Sequence, residues 1–250
     1  MDADAVVADA AIADGRIKHA GFSFHDQAQA FKPIVDAYAW SFCQIQYNFM
    51  DEQYQAGTEG LSYASNRGLG IVIMEPLRGG MLTKDVPSID KIWEKSPVRR
   101  TLPEWALKWV WNHPEVTVVL SGMSNFEQVK QNVAYAENGL PNSLSSEYLT
   151  LFKEVEAEYR RRIQVPCTGC RYCMPCSANV SIPECFEMYN QGCMFDAPDA
   201  ARYNYSFLGG MFGSPGFASQ CLECGECEKK CPQGISIPEQ LKKVAAYFGK

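Results

Sequence analysis

Apolar residues gather in four short runs, each followed by a stretch in which they recur every three or four positions. The runs cover residues 17–23, 42–47, 70–75 and 117–122. Unbroken apolar stretches such as Ile71 to Met74 and Val118 to Leu120 predict strands buried on both faces, the habit of parallel sheets. Residues 5–14 read as the tail of a helix leading into the first strand. Gly68 predicts the end of a later helix, because glycine tolerates the left-handed C-cap conformation. Thr101 with Glu104, and Ser124 with Glu127, read as capping boxes opening two more. Leu149, Phe152, Val155, Tyr159 and Ile163 mark the apolar stripe of a last long helix. Strand and helix in alternation predict β/α units with right-handed crossovers. Function in such folds gathers at the carboxyl ends of the strands.

Composition sharpens this picture in one place. The 250 residues are 46% hydrophobic with a formal net charge of -6, enough apolar matter for a sizeable core. Lys and Arg cluster only at Arg160, Arg161 and Arg162, so a nucleic-acid partner is not expected. No run approaches the ~18 apolar residues of a membrane span. Met1 is not followed by the basic and apolar regions of a secretory signal, and the expected location is cytoplasmic. Cysteine breaks the average: ten of the 11 lie between Cys167 and Cys231. In a reducing compartment such density implies metal or redox chemistry. It also predicts a boundary near residue 164, with one domain over 1–163 and another over 164–250.

The fourth strand runs into Gly122, Met123, Ser124 and Asn125, and a helix begins at once with Gln128 and Asn132 on one face. Free N–H groups at a helix start, beside a hydroxyl and a glycine, suit a phosphate. An ordinary N-cap explains the same residues equally well.

Taken in order, four strand-end segments resemble the aldo-keto reductase family over about residues 12–140. They are Gly21-Phe22-Ser23, Gln44-Ile45-Gln46-Tyr47-Asn48, Glu75-Pro76-Leu77-Arg78-Gly79-Gly80, and Gly122 through Asn132. The resemblance implies an α/β fold, strands five to eight of a (β/α)8 TIM barrel, and a nicotinamide dinucleotide, usually NADPH. By position, Ser23 and Gln44 would reach the nicotinamide carboxamide. The backbone of Leu77, Gly79 and Gly80 would line the pyrophosphate, and Gly122, Ser124, Gln128 and Asn132 the adenosine phosphate end. Met74, followed by Glu75, stands where the family stacks an aromatic ring on the nicotinamide. The family's catalytic Asp, Tyr, Lys and His belong to strands one to four, so no catalytic residue is assigned here. Four strands leave two open edges and a bare inner face. The expectation is a piece of a longer protein, with closure by a partner or second copy as the alternative.

The cysteines fall in two groups. Cys221, Cys224, Cys227 and Cys231, followed by Pro232, have the bacterial ferredoxin spacing for a [4Fe–4S] cluster. Cys167, Cys170, Cys173 and Cys176 repeat it with the last gap one residue shorter, and Ser177 where the run has Pro. Ser181-Ile182-Pro183-Glu184 and Ser236-Ile237-Pro238-Glu239 extend the repeat at a constant offset of 55. In the two-cluster ferredoxin arrangement that the duplication suggests, each fourth cysteine serves the other group. One cluster then takes Cys167, Cys170, Cys173 and Cys231, and the other Cys221, Cys224, Cys227 and Cys176. Zinc is the alternative metal, but it favours two separated C-x2-C pairs. The second domain is expected to be a small α+β ferredoxin-like module in which Phe195, Tyr203, Tyr205, Phe207, Phe212 and Phe217 are apolar packing that shields the clusters from water, a substrate-binding aromatic surface being the alternative. Cys43, Cys185 and Cys193 read as packed thiols, His25 as a surface or capping residue, and Glu75 and Arg78 as an ion pair.

Together these imply an oxidoreductase acting on a small carbonyl or alcohol with NADP(H), passing single electrons to a partner through two [4Fe–4S] clusters. Two alternatives remain at this point: an electron-carrier module on a non-catalytic half-barrel, and a structural zinc protein.

Overall fold

A computed structural model describes residues 3–208 and 216–249. It divides into two compact units, Met1–Thr83 with Ser96–Lys153, and Lys84–Lys95 with Glu154–Lys250. No helix among the described residues is long and apolar enough to cross a membrane.

The first unit holds α1 (Ala3–Ala13), β1 (Gly21–Ser23), α2 (Ala28–Ala37), β2 (Phe42–Gln46), α3 (Gly57–Asn66), β3 (Gly70–Met74), α5 (Leu102–Trp111), β4 (Val118–Val119) and α6 (Phe126–Ala136). The short α4 (Pro87–Trp93) falls in the second unit, and α7 (Ser146–Arg161) contributes to both. The strands form one parallel sheet in the order β1-β2-β3-β4. Each strand therefore pairs with its sequence neighbour, as successive β/α units require.

Register separates the two faces. Phe22, Cys43 and Ile71 lie side by side, as do Ile45, Ile73 and Val119. Cys43, Ile45, Ile71 and Ile73 are fully buried. The helices bring Phe31, Val35, Leu61 and Ala64 to the core, and Phe31 meets the rings of Phe22 and Phe24. The other face carries the row Ser23, Gln44, Val72 and Val118. Ser23 and Val118 there are exposed, Gln44 and Val72 half-buried. Burial is thus one-sided, where the apolar runs predict two covered faces. Runs such as Ile71 to Met74 carry apolar residues on both faces, and period-two alternation appears only in the burial.

The outer strands are also shorter than their apolar runs, because each edge has pairing from one side alone. β4 keeps two residues, although Thr117 N–H and Leu120 N–H still donate to Ile71 and Ile73 carbonyls at 2.9 Å. Capping follows the sequence at two of three places. Gly68, at φ 79°, closes α3 in a Schellman motif, with Gly68 N–H on Ser65 O and Leu69 N–H on Ala64 O. Thr101 Oγ1 accepts from Glu104 N–H at 3.2 Å. At α6 the cap is Asn125, whose Oδ1 accepts from Gln128 N–H at 2.9 Å, in place of Ser124 with Glu127. The α7 stripe is also adjusted: Leu151, Phe152, Val155 and Tyr159 are buried, and Leu149 is exposed.

The second unit buries Val165, Val180, Phe186, Tyr205, Leu241, Val244 and Phe248. It contains α8 (Ile182–Met194), α9 (Pro198–Ser206), α10 (Glu226–Lys229) and α11 (Ile237–Phe248). Its described residues form helices and cysteine loops, with no strand where an α+β module was expected. One physical reason is visible at its entrance. The Asn190 Oδ1 accepts from Gln164 and Val165 N–H, and its Nδ2 donates to Val165 O at 2.7 Å. A side-chain amide takes the place of a strand partner.

Candidate functional site

At the carboxyl end of the sheet a cleft of about 730 Å³ is lined by the end of β3 and the segment after it, the start of α5, the turn between β4 and α6, and α6 itself. It brings together Leu77, Gly79, Gly80, Gly122, Gln128 and Asn132, six of the nine positions the sequence singled out for a dinucleotide. Ser124 sits beside it, its N–H and hydroxyl both on Gln128 Oε1 at 2.8 and 3.2 Å. Ser23 and Gln44 are register partners on the open face of the sheet and are not part of the cleft lining. Gln44 is tied to it through Met74, a lining residue, with Nε2 3.5 Å from Sδ.

The cleft floor is a run of left-handed backbone. Glu75, Arg78, Gly79 and Gly80 have φ of 56°, 51°, 62° and 83°. A non-glycine residue held there costs of order 1–3 kcal/mol unless its surroundings impose it. The surroundings include Asn48, fully buried at the end of β2. Its Oδ1 accepts from Met50 and Asp51 N–H, and its Nδ2 donates to Glu75 O and Asp51 Oδ2, each at 3.1 Å. Asp51 in turn pairs with Arg78 Nε at 3.0 Å. The ion pair at Arg78 is therefore with Asp51, where the sequence suggested Glu75. Asn48 closes the strand-end motif that begins at Gln44, and its one signal in the sequence is an amide directly after a buried strand. On the opposite wall Asn132 Nδ2 donates to Ser121 Oγ at 2.9 Å, fixing the turn before α6. His25 is exposed.

The second unit contains two adjoining cavities. One is lined by Cys167, Cys170, Cys173 and Cys231 with Ile182, Phe186, Ile235 and Ile237, and is tight at about 20 Å³. The other, about 240 Å³, is lined by Cys176, Cys221, Cys224 and Cys227, with Ile182 and Leu241. Cys173 and Ile182 line both. Each fourth cysteine thus lies with the opposite group.

Electrostatics follow the same crossing. Burial raises the thiol of Cys167, and the nearby Cys170 and Cys231 add to the effect. Burial likewise raises Cys227, where Cys221 and Cys176 add to it. Cys173 is pushed up to about 11, chiefly by burial.

The duplication extends to the backbone. Gly169 and Glu223, each two residues past a first cysteine, have φ of 68° and 55°, and Arg171 and Gly225 follow at 63° and 73°. In both loops the second residue on donates its N–H to the leading sulfur: Gly169 to Cys167 Sγ at 3.5 Å, Glu223 to Cys221 Sγ at 3.4 Å. Such bonds stabilise thiolate charge, and sulfur hydrogen bonds are among the determinants of cluster potential.

The thiols line cavities and do not converge on a point. Among the described residues no three His, Cys, Asp or Glu side chains gather as closely as a single metal ion requires. Zinc, at ~2.3 Å from each sulfur, would demand that convergence. Four thiols around each space, with apolar sides and N–H donors to sulfur, are the donor set of a polynuclear cluster; the second space has room for one, and the first, at about 20 Å³, has to widen to take one.

The remaining cysteines match their reading unevenly. Cys43 and Cys185 are fully buried, with burial pushing their thiols up to about 11 and 12. Cys193 is half-buried. Of the aromatic residues, Phe195 and Tyr205 are buried and Phe217 packs on the core. Tyr203 and Phe207, expected inside, are 67% and 44% exposed and meet edge to face at 4.8 Å. They lie on and just after the outer side of α9, which the periodicity of so short a helix could not orient. Phe212 lies outside the described residues.

Two family models match this chain, one over the parallel β/α sheet with its glycine-floored cleft and one over the duplicated cysteine module. Residues 166–236 match the 4Fe-4S dicluster domain. Residues 7–147, more than half of the chain, match the aldo/keto reductase family, and the chain belongs to that family. Among solved structures, an aldo-keto reductase from Bacillus halodurans in its holo form is 23% identical over 59% of this chain and 53% of its own, with a TM-score of 0.48. An aldo-keto reductase from Klebsiella pneumoniae in complex with NADPH is 20% identical over 59% of this chain and 51% of its own, with a TM-score of 0.45. The chain therefore spans about half the length of these structures. A search of the curated proteins finds no match.

Proposed function

We propose that this protein links hydride exchange at a small carbonyl or alcohol, with a nicotinamide dinucleotide, to single-electron transfer through two [4Fe–4S] clusters. The observation that carries the reading is the crosswise lining of the two cavities, Cys231 with the Cys167 group and Cys176 with the Cys221 group. Those two sets of four thiolates hold the clusters. When bound, the clusters supply one-electron steps and the dinucleotide a two-electron one.

The chain's own contribution to the dinucleotide is positioning. Gly79, Gly80 and Gly122 leave room for a pyrophosphate against the backbone, and Gln128 and Asn132 present amides at the start of α6. The resemblance of the strand ends implies NADP(H) here, and Ser23 and Gln44 as contacts to the ring. Proton transfer is assigned to no residue of this chain. The open face of the sheet is covered by further β/α units or a second copy, the functional division falls near residue 164, and the reduced thiols suit a cytoplasmic setting.

The test is anaerobic purification followed by titration. The expected protein is brown, absorbs broadly near about 400 nm and holds roughly eight irons per chain. Reduced nicotinamide dinucleotide should bind and bleach that band, its two electrons passing one to each cluster, and a one-electron acceptor should then restore the band. Stoichiometric zinc without iron would overturn the cluster assignment. Full iron without dinucleotide binding would leave an electron carrier on a half-barrel scaffold.

A further inference from the structure

The cleft of the first unit offers an anion backbone donors and almost nothing else. The N–H groups of Gly79, Gly80, Gly122 and Met123 make no hydrogen bond among the described residues. Its polar lining side chains, Thr83, Ser121, Gln128, Gln131 and Asn132, are neutral, and Glu75 carries the only charge in the lining. Next to the lining, Gln131 Nε2 donates to Glu127 Oε1 at 3.0 Å, placing a second carboxylate at the α6 end. The one cation on that stretch of α6, Lys130, is not part of the lining. Arg78 is held by Asp51.

From this charge distribution we infer that the cleft selects the dinucleotide lacking a 2′-phosphate, NAD(H), over NADP(H). The inference rests on the dinucleotide reading above and names which form the site takes. Both forms share a pyrophosphate, so the four backbone donors serve them equally. They differ by a phosphomonoester of roughly -1.5 to -2 charge at neutral pH. Sites that hold a 2′-phosphate supply an arginine or similar cation, whereas a ribose 2′-hydroxyl needs only a neutral or acidic hydrogen-bonding partner. Here the candidates at the adenosine end are amides, the one charge in the lining is the Glu75 carboxylate, and the Glu127 carboxylate is hydrogen-bonded to Gln131. A 2′-phosphate would give up its water beside like charge and gain no counter-ion. Specificity then comes from repulsion of the phosphorylated form as much as from attraction of the other.

The experiment is a calorimetric titration of the intact, cluster-loaded protein with NADH and with NADPH in the same low-salt buffer. NADH should bind about tenfold or more tightly than NADPH, a difference of ~1.4 kcal/mol. Gln131→Arg, which sets a cation beside the adenosine end, should move the ratio toward NADPH by about tenfold. Glu75→Gln, which removes the lining charge, should move it the same way by a smaller factor. Retained iron content and far-UV dichroism establish that each variant is folded. Equal or tighter binding of NADPH by the parent, or a ratio that neither variant moves, overturns the selection while leaving the dinucleotide site standing. Failure of both nucleotides to bind removes the dinucleotide reading itself.

Discussion

Asn179 and Gly234 occupy equivalent places in the two cysteine segments and share one backbone conformation, with φ of 56° and 62°. Each donates its N–H to the carbonyl of the preceding fourth cysteine, Cys176 at 3.0 Å and Cys231 at 3.2 Å. Each also leads into a helix with serine at its N-cap, Ser181 before α8 and Ser236 before α11. The left-handed conformation disfavours a Cβ by roughly 1–2 kcal/mol, and asparagine tolerates it better than most residues. Gly234→Val should therefore destabilise the protein by about 1–2 kcal/mol, while Asn179→Gly should change stability by about 0.5 kcal/mol or less. Urea unfolding of the two variants under anaerobic conditions measures both, and equal losses would deny the equivalence.

Cysteine substitutions should act crosswise. Cys176→Ser removes a lining thiol of the Cys221 cavity, and Cys231→Ser one of the Cys167 cavity. Each variant should lose about half of its roughly eight irons and keep one electron-paramagnetic signal from the reduced protein. Cys193→Ser should retain full iron. If Cys176→Ser perturbs the signal that Cys167→Ser abolishes, the ligands run in sequence order and not across.

The sheet should respond to mutation on one face only. Ile73 is fully buried beside Ile45, whereas Gln44 is half-buried on the open row. Ile73→Ala should cost about 2–5 kcal/mol by leaving a cavity. Gln44→Ala should fall within about 0.5 kcal/mol. Chemical unfolding compares the two directly, and comparable losses would mean that the open row is packed in solution.

Alkaline pH should expose the buried thiol. Burial pushes Cys43 up to about 11 from its ordinary value of 9.0. The folded state then holds a proton that the unfolded chain releases, so stability is intact below about 9 and declines as pH rises toward 11. Cys43→Ala should show a shallower decline in urea midpoint between pH 9 and 11 than the parent. At pH 8, native Cys43 and Cys185 should resist iodoacetamide that reaches them readily in denaturant. Equal decline in parent and variant would remove the thiol from the alkaline transition.

Elements whose signals are local were legible in the sequence. Gly68 and Thr101 mark helix ends because their caps involve residues three or four positions away. The repeat around Ser181 and Ser236 was legible as a duplication, and the structure realises it as two helices starting at matching residues, α8 and α11. What escaped was decided by distant partners. Asn48 carries no local mark of its task, since Glu75 is brought to it by the pairing of β2 with β3. Ile71 to Met74 reads as uniformly apolar, and only the position of α3 reveals which two are covered. Ser124 and Asn125 are both good caps by composition, and one hydrogen bond to Gln128 N–H selects the second. At the cleft, sequence order named the glycines and amides, whereas the absence of a lining cation needed the fold to say which residues face one another.

The crossed cysteine lining also constrains biogenesis. A nascent polypeptide that has emerged only through Cys176 can present three thiols of one cage and a single thiol of the other. With this lining the Cys176 set of thiols is complete once translation has passed Cys227, and the Cys167 set only at Cys231, so a ribosome stalled before Cys227 leaves neither set of four assembled.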